Sequence, residues 1–348
     1  MEKTIKNQAD FQYINLLKDI LENGHKKDTR AGKVISKFGH AIKLNTYEQF
    51  PLLNCKKMYW NGILYELLWF LKGDTNIKYL LDNKVHIWDA DAYRYYKTMV
   101  DDPIEIEEFI ENVLGEKTFT DKYGQTVKYG ELGNIYGFQW NKKNEITGES
   151  QLDYIDRMLR MNPDDRRMLC SAWNYSDLPL MGLPPCHVMW CVHTDILTHE
   201  ERVAILDELN TLKVLHKHPK DMTEGELDDL CIPRRRLNLS WTQRSVDTFL
   251  GLPFNIASYG LLQAILASRH NMICGELMGN LIDCHIYEIH LDAVNQLLND
   301  EKRTACDIEA PIIVFNDHSA KIQDTKPSGI HLLNYKPHGT IKAPLCVG

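Results

Sequence analysis

Residues 241–259, "WTQRSVDTFLGLPFNIASY", carry the chain from a polar cluster through an apolar turn into a helix. Gln243, Arg244, Ser245 and Asp247 set four polar groups within five residues. A guanidinium beside a hydroxyl suits a phosphate, because the planar fork holds two oxygens and the hydroxyl adds a donor. The continuation "FNIASYGLLQAILASRH" predicts a helix of about four turns. Asn255 stands where that helix begins. Asparagine caps helices well. Its amide also both donates and accepts, as reading a base edge requires.

Outward from this stretch, "CHVMWCVH" (186–193) and "DCHIYEIH" (283–290) are β-like. Residues 61–72, "NGILYELLWFLK", are apolar nearly all round and predict a buried helix that stops at Gly73. "DTNIKYLLDN" restarts as a capped helix, and residues 11–23 and 101–114 predict two more, the latter acidic with Pro103 near its first turn. "TRAGKVISKFGHAIKL" alternates and carries glycines, as a loop entering a strand would. Helices and strands interleave with no composition break. The expectation is one mixed α+β domain with surface insertions at about 92–131 and 196–236.

The 348 residues are 44% hydrophobic and 25% charged, enough for a large core. A net charge of -8 argues against duplex nucleic acid as the main partner. The start lacks an apolar export segment, and stretches such as "GILYELLWFL" are too short to span a bilayer. Nine cysteines without a repeating spacing do not suggest a disulfide framework. These features predict a reduced, cytoplasmic protein of enzyme size.

"LPPCHVMW" (183–190) raises the chemical question. Pro184 and Pro185 fix the backbone ahead of Cys186, whose thiol could be a nucleophile, a metal ligand or inert core. Adjacent strand residues face opposite ways, which weakens a Cys186–His187 pair. The same alternation puts His187, Cys191 and His193 on one face, a poor start for a tetrahedral zinc site. Arg166 and Arg167 offer positive charge. Asp283, His285 and Tyr287 alternate onto one face, suited to sugar hydroxyls or to a polar sheet edge. Glu66 lies in the apolar helix, either as a proton-handling carboxyl or on a wet side. Trp88, Tyr136 and Trp140 stand near polar residues. The inventory suits covalent catalysis on a nucleotide.

"ELLWFLKGDTNIKYL", "HIWD", "YGFQW", "RRMLCSAWN", "LPPCH", "QRSVDTFLGLPFNIASY", "DCHIY" and "IKAP", in this order, resemble the motifs of the thymidylate synthase family. The resemblance implies a large mixed β-sheet flanked by helices and a homodimer packed sheet to sheet. It implies that Cys186 adds to C6 of deoxyuridylate (dUMP). Glu66, Tyr136 and His187 would form the proton network, with Arg244 and Asn255 also catalytic. The nucleotide would be held by Arg30, Gln243, Arg244, Ser245, Asp247, Asn255, His285 and Tyr287, with Arg166 and Arg167 reaching across from the second subunit. Lys56, Ile87, Trp88, Asp247, Leu250, Gly251, Phe254 and Val347 would line the folate. The co-substrate would be 5,10-methylenetetrahydrofolate, with no metal.

Several positions depart from the family pattern. The loop "DTRAGKVISKFG" around Arg30 is shorter and less glycine-rich. Asp91 stands where a second tryptophan follows "IWD", Asn141 follows "FQW" where arginine is common, and the chain ends Val347–Gly348. A related activity, hydroxymethylation of dUMP or dCMP, shares the covalent chemistry but lets water replace the hydride and releases tetrahydrofolate.

Overall fold

The computed structural model describes residues 6–209, 218–317 and 319–346. Its centre is a six-stranded sheet built from β1 (His25–Thr29), β2 (Gly32–Asn45), β5 (Leu169–Ser171), β6 (His187–Ile196), β7 (Arg235–Asp247) and β8 (Ile273–Tyr287), in the order β1-β2-β8-β7-β6-β5. Two short hairpins stand apart: β3 (Thr118–Thr120) with β4 (Thr126–Lys128), and β9 (Ile312–Phe315) with β10 (Ile330–Leu333). Strands β7 and β8 are the parallel pair; their neighbours in the sheet run antiparallel. A parallel pair needs a crossover, and the helix predicted from the opening stretch supplies it.

The helices are α1 (Gln8–Asn23), α2 (Trp60–Lys72), α3 (Lys78–Asp82), α4 (Asp89–Met99), α5 (Ile106–Leu114), α6 (Tyr136–Asn141), α7 (Gln151–Met161), α8 (His199–Leu209), α9 (Glu224–Asp229), α10 (Gly251–Arg269), α11 (Leu291–Leu298) and α12 (Glu301–Thr304). The crossover α10 lies on β7 and β8, α1 on β2, and α2 packs behind α10. From Ile256 to Ala267 every residue of α10 is buried, which explains its apolar sequence. Helix α2 ends at Gly73, whose φ of 73° is the left-handed conformation that glycine adopts at no steric cost.

Some local expectations shift. Helix α5 starts at Ile106, not at 101, and Pro103 stands outside it. The residue before a proline disfavours the helical region, and Glu105 is extended at the N-cap. The restart after Gly73 is a five-residue helix whose N-cap, Ile77, makes no side-chain cap; Asn76 accepts from the Lys78 N–H instead. The "TRAGK" stretch is a hairpin: Arg30 and Ala31 form the turn, and Gly32 takes φ 120°.

One hydrophobic cluster joins α1, α2, α10 and the sheet. It also takes in Tyr96, Phe109 and Val113, with Phe119 and Tyr129 packed against it, so 92–131 feeds the main core. Residues 196–236 carry a separate small cluster of Leu197, Val203, Ile205, Leu206, Met222, Leu227 and Ile232. Beside it Arg202, 1% exposed, pairs with Glu224 and Asp228 and donates to the carbonyls of Ile232 and Pro233. No helix among the described residues is long and apolar enough to cross a membrane.

Candidate active site

The loop bearing Cys186 is fixed from three sides. Arg244, on β7, donates through Nε to the Pro185 carbonyl (2.8 Å) and through Nη2 to the Pro184 carbonyl (3.0 Å). Its backbone N–H donates to the Cys186 carbonyl (2.8 Å). The Cys186 N–H donates to the Tyr136 hydroxyl (2.7 Å), and Arg94 holds the Gly182 carbonyl (3.1 Å). Prolines offer no N–H, so Arg244 takes the only main-chain polar groups that residues 184 and 185 present. Its guanidinium also lies 5.3 Å from the Trp173 ring, while Nη1 is left without a partner among the described residues.

Burial raises the Cys186 thiol above its ordinary pKa; Arg244 opposes this, and Asp91 and Asp247 add to it. An added anion-binding arginine would favour the thiolate. His187 is not the base for this thiol. Its Nδ1 meets the Tyr259 hydroxyl at 2.7 Å, and its ring stacks on Tyr136 at 4.1 Å and 19°. Burial lowers its pKa to about 3, so the imidazole is neutral at pH 7.

The alternation expected along this strand does not hold. The register shifts between His187 and Met189, where β6 carries one extra residue against β7. Such a bulge flips every later side chain. His187 is therefore buried with Trp190, Val192 and Thr194, whereas His193 is exposed. The shared face of His187, Cys191 and His193 is overturned. No group of three or more His, Cys, Asp or Glu among the described residues is placed to hold a metal ion.

Glu66, on α2, accepts from the Trp88 indole N–H (2.7 Å). It lies deep enough that burial pushes its carboxyl up to about 7, with the indole bond pulling down. Tyr136 and Tyr259 are held well above the usual phenol range, by burial first and partly by the charge at Glu66. Both are neutral donors at neutral pH. Glu66 is thus paired with the Trp88 indole inside the protein, not set on a solvated side of α2.

Asn255 is not a helix cap. Helix α10 begins at Gly251, and the Asp247 Oδ1 accepts from the N–H groups of Phe249 and Leu250 (3.1 Å each) just ahead of it. Asn255 lies in the second turn, where its Oδ1 accepts from Gln243 Nε2 (3.1 Å). Gln243 pairs with His187 across the sheet and is 2% exposed. Its own orientation is set by the Trp241 indole N–H and the Ser245 carbonyl. The amide of Asn255 is thus aimed by a buried glutamine one residue from Arg244.

His285 and Tyr287 lie 5.0 Å apart, edge to face. Asp283, the third polar residue of that stretch, is taken by Ser36 and Lys27 of the hairpin. Burial pushes the Tyr287 phenol up to about 12; Asp247, Cys346 and Cys186 add to the rise and Arg30 opposes it. Asp247 keeps its Oδ2 free of protein partners among the described residues. Lys56, 4% exposed, donates to the Phe249 carbonyl and sits 3.9 Å from the Phe249 ring. Burial lowers it to about 8, and it braces this wall from behind. Ile87, Leu250 and Phe254 are half-buried, Trp88 is buried and Gly251 opens α10. Val347 lies outside the described residues.

The thymidylate synthase family model matches residues 11–347. The chain belongs to the thymidylate synthase family. It is 35% identical to the thymidylate synthase of Mycoplasma mobile over 97% of this chain and 99% of that protein. It is 34% identical to the thymidylate synthase of Listeria innocua serovar 6a over the same shares. It is accordingly a one-carbon methyltransferase.

One part of the family pattern is not assembled within the single chain. Arg166 and Arg167 are exposed, and Arg167 pairs with Asp165. The adjoining Met168 carbonyl accepts from Val192, six residues along β6 from Cys186, or about 20 Å. The departures from the family pattern have local explanations. Asn141 donates from Nδ2 to the carbonyls of Phe70, Leu71 and Gly137, closing the end of α2. Asp91 pairs with Arg94 (2.9 Å), which also donates to the Gly182 carbonyl of the Cys186 loop. Sequence reasoning missed Tyr259, Trp173 and Arg94. Tyr259 sat within a quoted motif, and a hydroxyl on a buried apolar helix was the available signal.

Proposed function

We propose that the protein converts dUMP to dTMP through a covalent bond from Cys186 to C6, with methylenetetrahydrofolate becoming dihydrofolate. The observation that carries this reading is the thiol on a loop clamped by Arg244 and Tyr136, adjoining the Gln243–Asn255 amide pair. The partnerless Asp247 Oδ2 fits an N–H of the folate, beside Trp88, Leu250 and Phe254. When bound, the folate supplies the one-carbon unit and the hydride.

The thiolate forms the S–C6 bond, and the displaced electron pair moves toward C5 and O4 of the ring. Donors fixed in advance stabilise that charge without reorganising; the Asn255 amide, oriented by Gln243, meets the O4 and N3 edge. Glu66, with a carboxyl near 7, takes and returns protons at neutral pH. Neutral His187 and Tyr136 line the same path. Arg30, Arg244 and Ser245 hold the phosphate, and His285 and Tyr287 the ribose hydroxyl. When the C5 substituent is complete, the S–C6 bond breaks and Cys186 is restored.

The reading includes a homodimer joined through the sheet. Phe38, 84% exposed, and Ile282, 39% exposed, are apolar groups on that sheet for a second copy to cover. The partner subunit's Arg166 and the partner subunit's Arg167 would then complete the phosphate site. The Asp91–Arg94 pair, polar where the family has an aromatic ring, favours one second reading, trapping by water to give the 5-hydroxymethyl nucleotide. Replacing Cys186 by Ala tests the nucleophile: turnover should vanish while dUMP binding persists, and the mass of a C6 adduct should be lost. Retained turnover would remove Cys186 from the mechanism.

A further inference from the structure

We propose that Asp91 and Arg94 are positioning residues: through them α4 holds the loop that carries Cys186, and the 92–131 segment helps to set the nucleophile. Arg94 Nη2 has two hydrogens and two acceptors, Asp91 Oδ1 (2.9 Å) and the Gly182 carbonyl (3.1 Å). Both bonds have a cationic donor, which makes them the stronger kind. Arg94 Nε is buried without a partner among the described residues, a cost that the Nη2 bonds offset. From the other side the Gly182 N–H donates to the Leu132 carbonyl (2.8 Å). A Cβ at Gly182 would stand 2.8 Å from Leu132 Cδ2 and 3.0 Å from the Tyr95 ring. Glycine is therefore what lets α4 approach this closely.

Three residues lie between Gly182 and Cys186, and two of them are prolines whose carbonyls Arg244 holds. Prolines fix φ, so a displacement at Gly182 is passed on to Cys186 rather than absorbed. Arg244 grips the near end of the loop from β7, and Arg94 grips the far end from α4. Asp91 also acts on the thiol by charge. Burial raises the Cys186 pKa first, Arg244 opposes it, and Asp91 and Asp247 add to the rise. Tyr136, whose hydroxyl takes the Cys186 N–H, and Tyr287 are neutral phenols at neutral pH and add no charge. Pairing with Arg94 offsets the Asp91 charge, so the loop is held without leaving a bare carboxylate against a thiol that must ionise. The inference rests on the reading of Cys186 as the nucleophile.

The test is the pH dependence of Cys186 alkylation by iodoacetamide, read from the mass of the peptide that carries it, beside steady-state kinetics. Asp91→Asn removes a negative charge, so the alkylation midpoint should move to lower pH. Arg94→Met leaves Asp91 without its counter-charge, so the midpoint should move to higher pH. In Arg94→Met kcat should also fall about tenfold, the weight of one hydrogen bond from a charged donor, while the Kd for dUMP stays within about twofold. Arg94→Lys, whose ammonium can serve both acceptors, should recover most of kcat and the parental midpoint. In an Asp91→Asn background, Arg94→Met should move the midpoint less than about half as far, because the carboxylate it screened is gone. Midpoints that stay at the parental value or move in the same direction, an unchanged kcat in Arg94→Met, or a lysine variant as slow as the methionine variant would overturn the proposal. Should Arg94→Met fold poorly, Asp91→Asn carries the test, and an unmoved midpoint there overturns the proposal by itself. Alkylation is read without turnover, so a failure to form thymidylate would strike the proposed function and leave this test intact.

Discussion

Replacing Glu66 by Gln should abolish turnover and at the same time stabilise the fold at alkaline pH. The carboxyl is raised from 4.5 to about 7 in the folded protein, chiefly by burial. Between those values the folded state holds a proton that the unfolded chain has released. Stability then falls as pH rises through this window, and the loss is complete above about pH 7. At 1.36 kcal/mol per pH unit, the full penalty is about 3 kcal/mol. Glutamine does not titrate, and its carbonyl can still accept from the Trp88 indole. The stability advantage of Glu66→Gln over the parent should therefore grow by about 3 kcal/mol from pH 4.5 to 8. Urea unfolding at several pH values, with equal slopes for both proteins, measures it directly. A difference that stays flat with pH would mean that Glu66 is ionised at no cost. That result would remove the basis for its proton-handling role.

Three other perturbations probe separate parts of the site. Tyr259→Phe removes the hydroxyl that fixes His187 and should lower kcat by about tenfold while leaving the dUMP KM near the parent value, measured by steady-state kinetics. Asn255→Asp replaces donors by acceptors on the pyrimidine edge, so the kcat/KM ratio should move toward dCMP by at least about tenfold in direct competition. Mixing inactive Cys186→Ala chains with inactive Arg166→Ala/Arg167→Ala chains should restore up to about a quarter of parental activity, because one site per hybrid dimer is then complete; no restored activity would place both functions in one chain.

The elements were legible where a single period governs them. Helix α2 is apolar all round and is buried; the 254–270 stretch is apolar and forms the crossover α10. The ordered motifs pointed to the thiol, the amide and the arginines together. What escaped were features set by partners distant in sequence. The extra residue between His187 and Met189 is defined only against β7, so simple alternation assigned His187 to the wrong face. Asn255 resembled a cap because Asp247, eight positions earlier, supplies that contact instead. Glu66 was legible as a carboxyl inside an apolar helix, but its indole partner Trp88, 22 positions on, was not. Tyr259 and Arg94 act on residues 72 and 88 positions away.

The central claim is tested most directly by identifying both products from dUMP and methylenetetrahydrofolate. The account predicts thymidylate and dihydrofolate in equal amounts, with both lost in Cys186→Ala. A 5-hydroxymethyl nucleotide accompanied by tetrahydrofolate would contradict it and shift the assignment to hydroxymethylation.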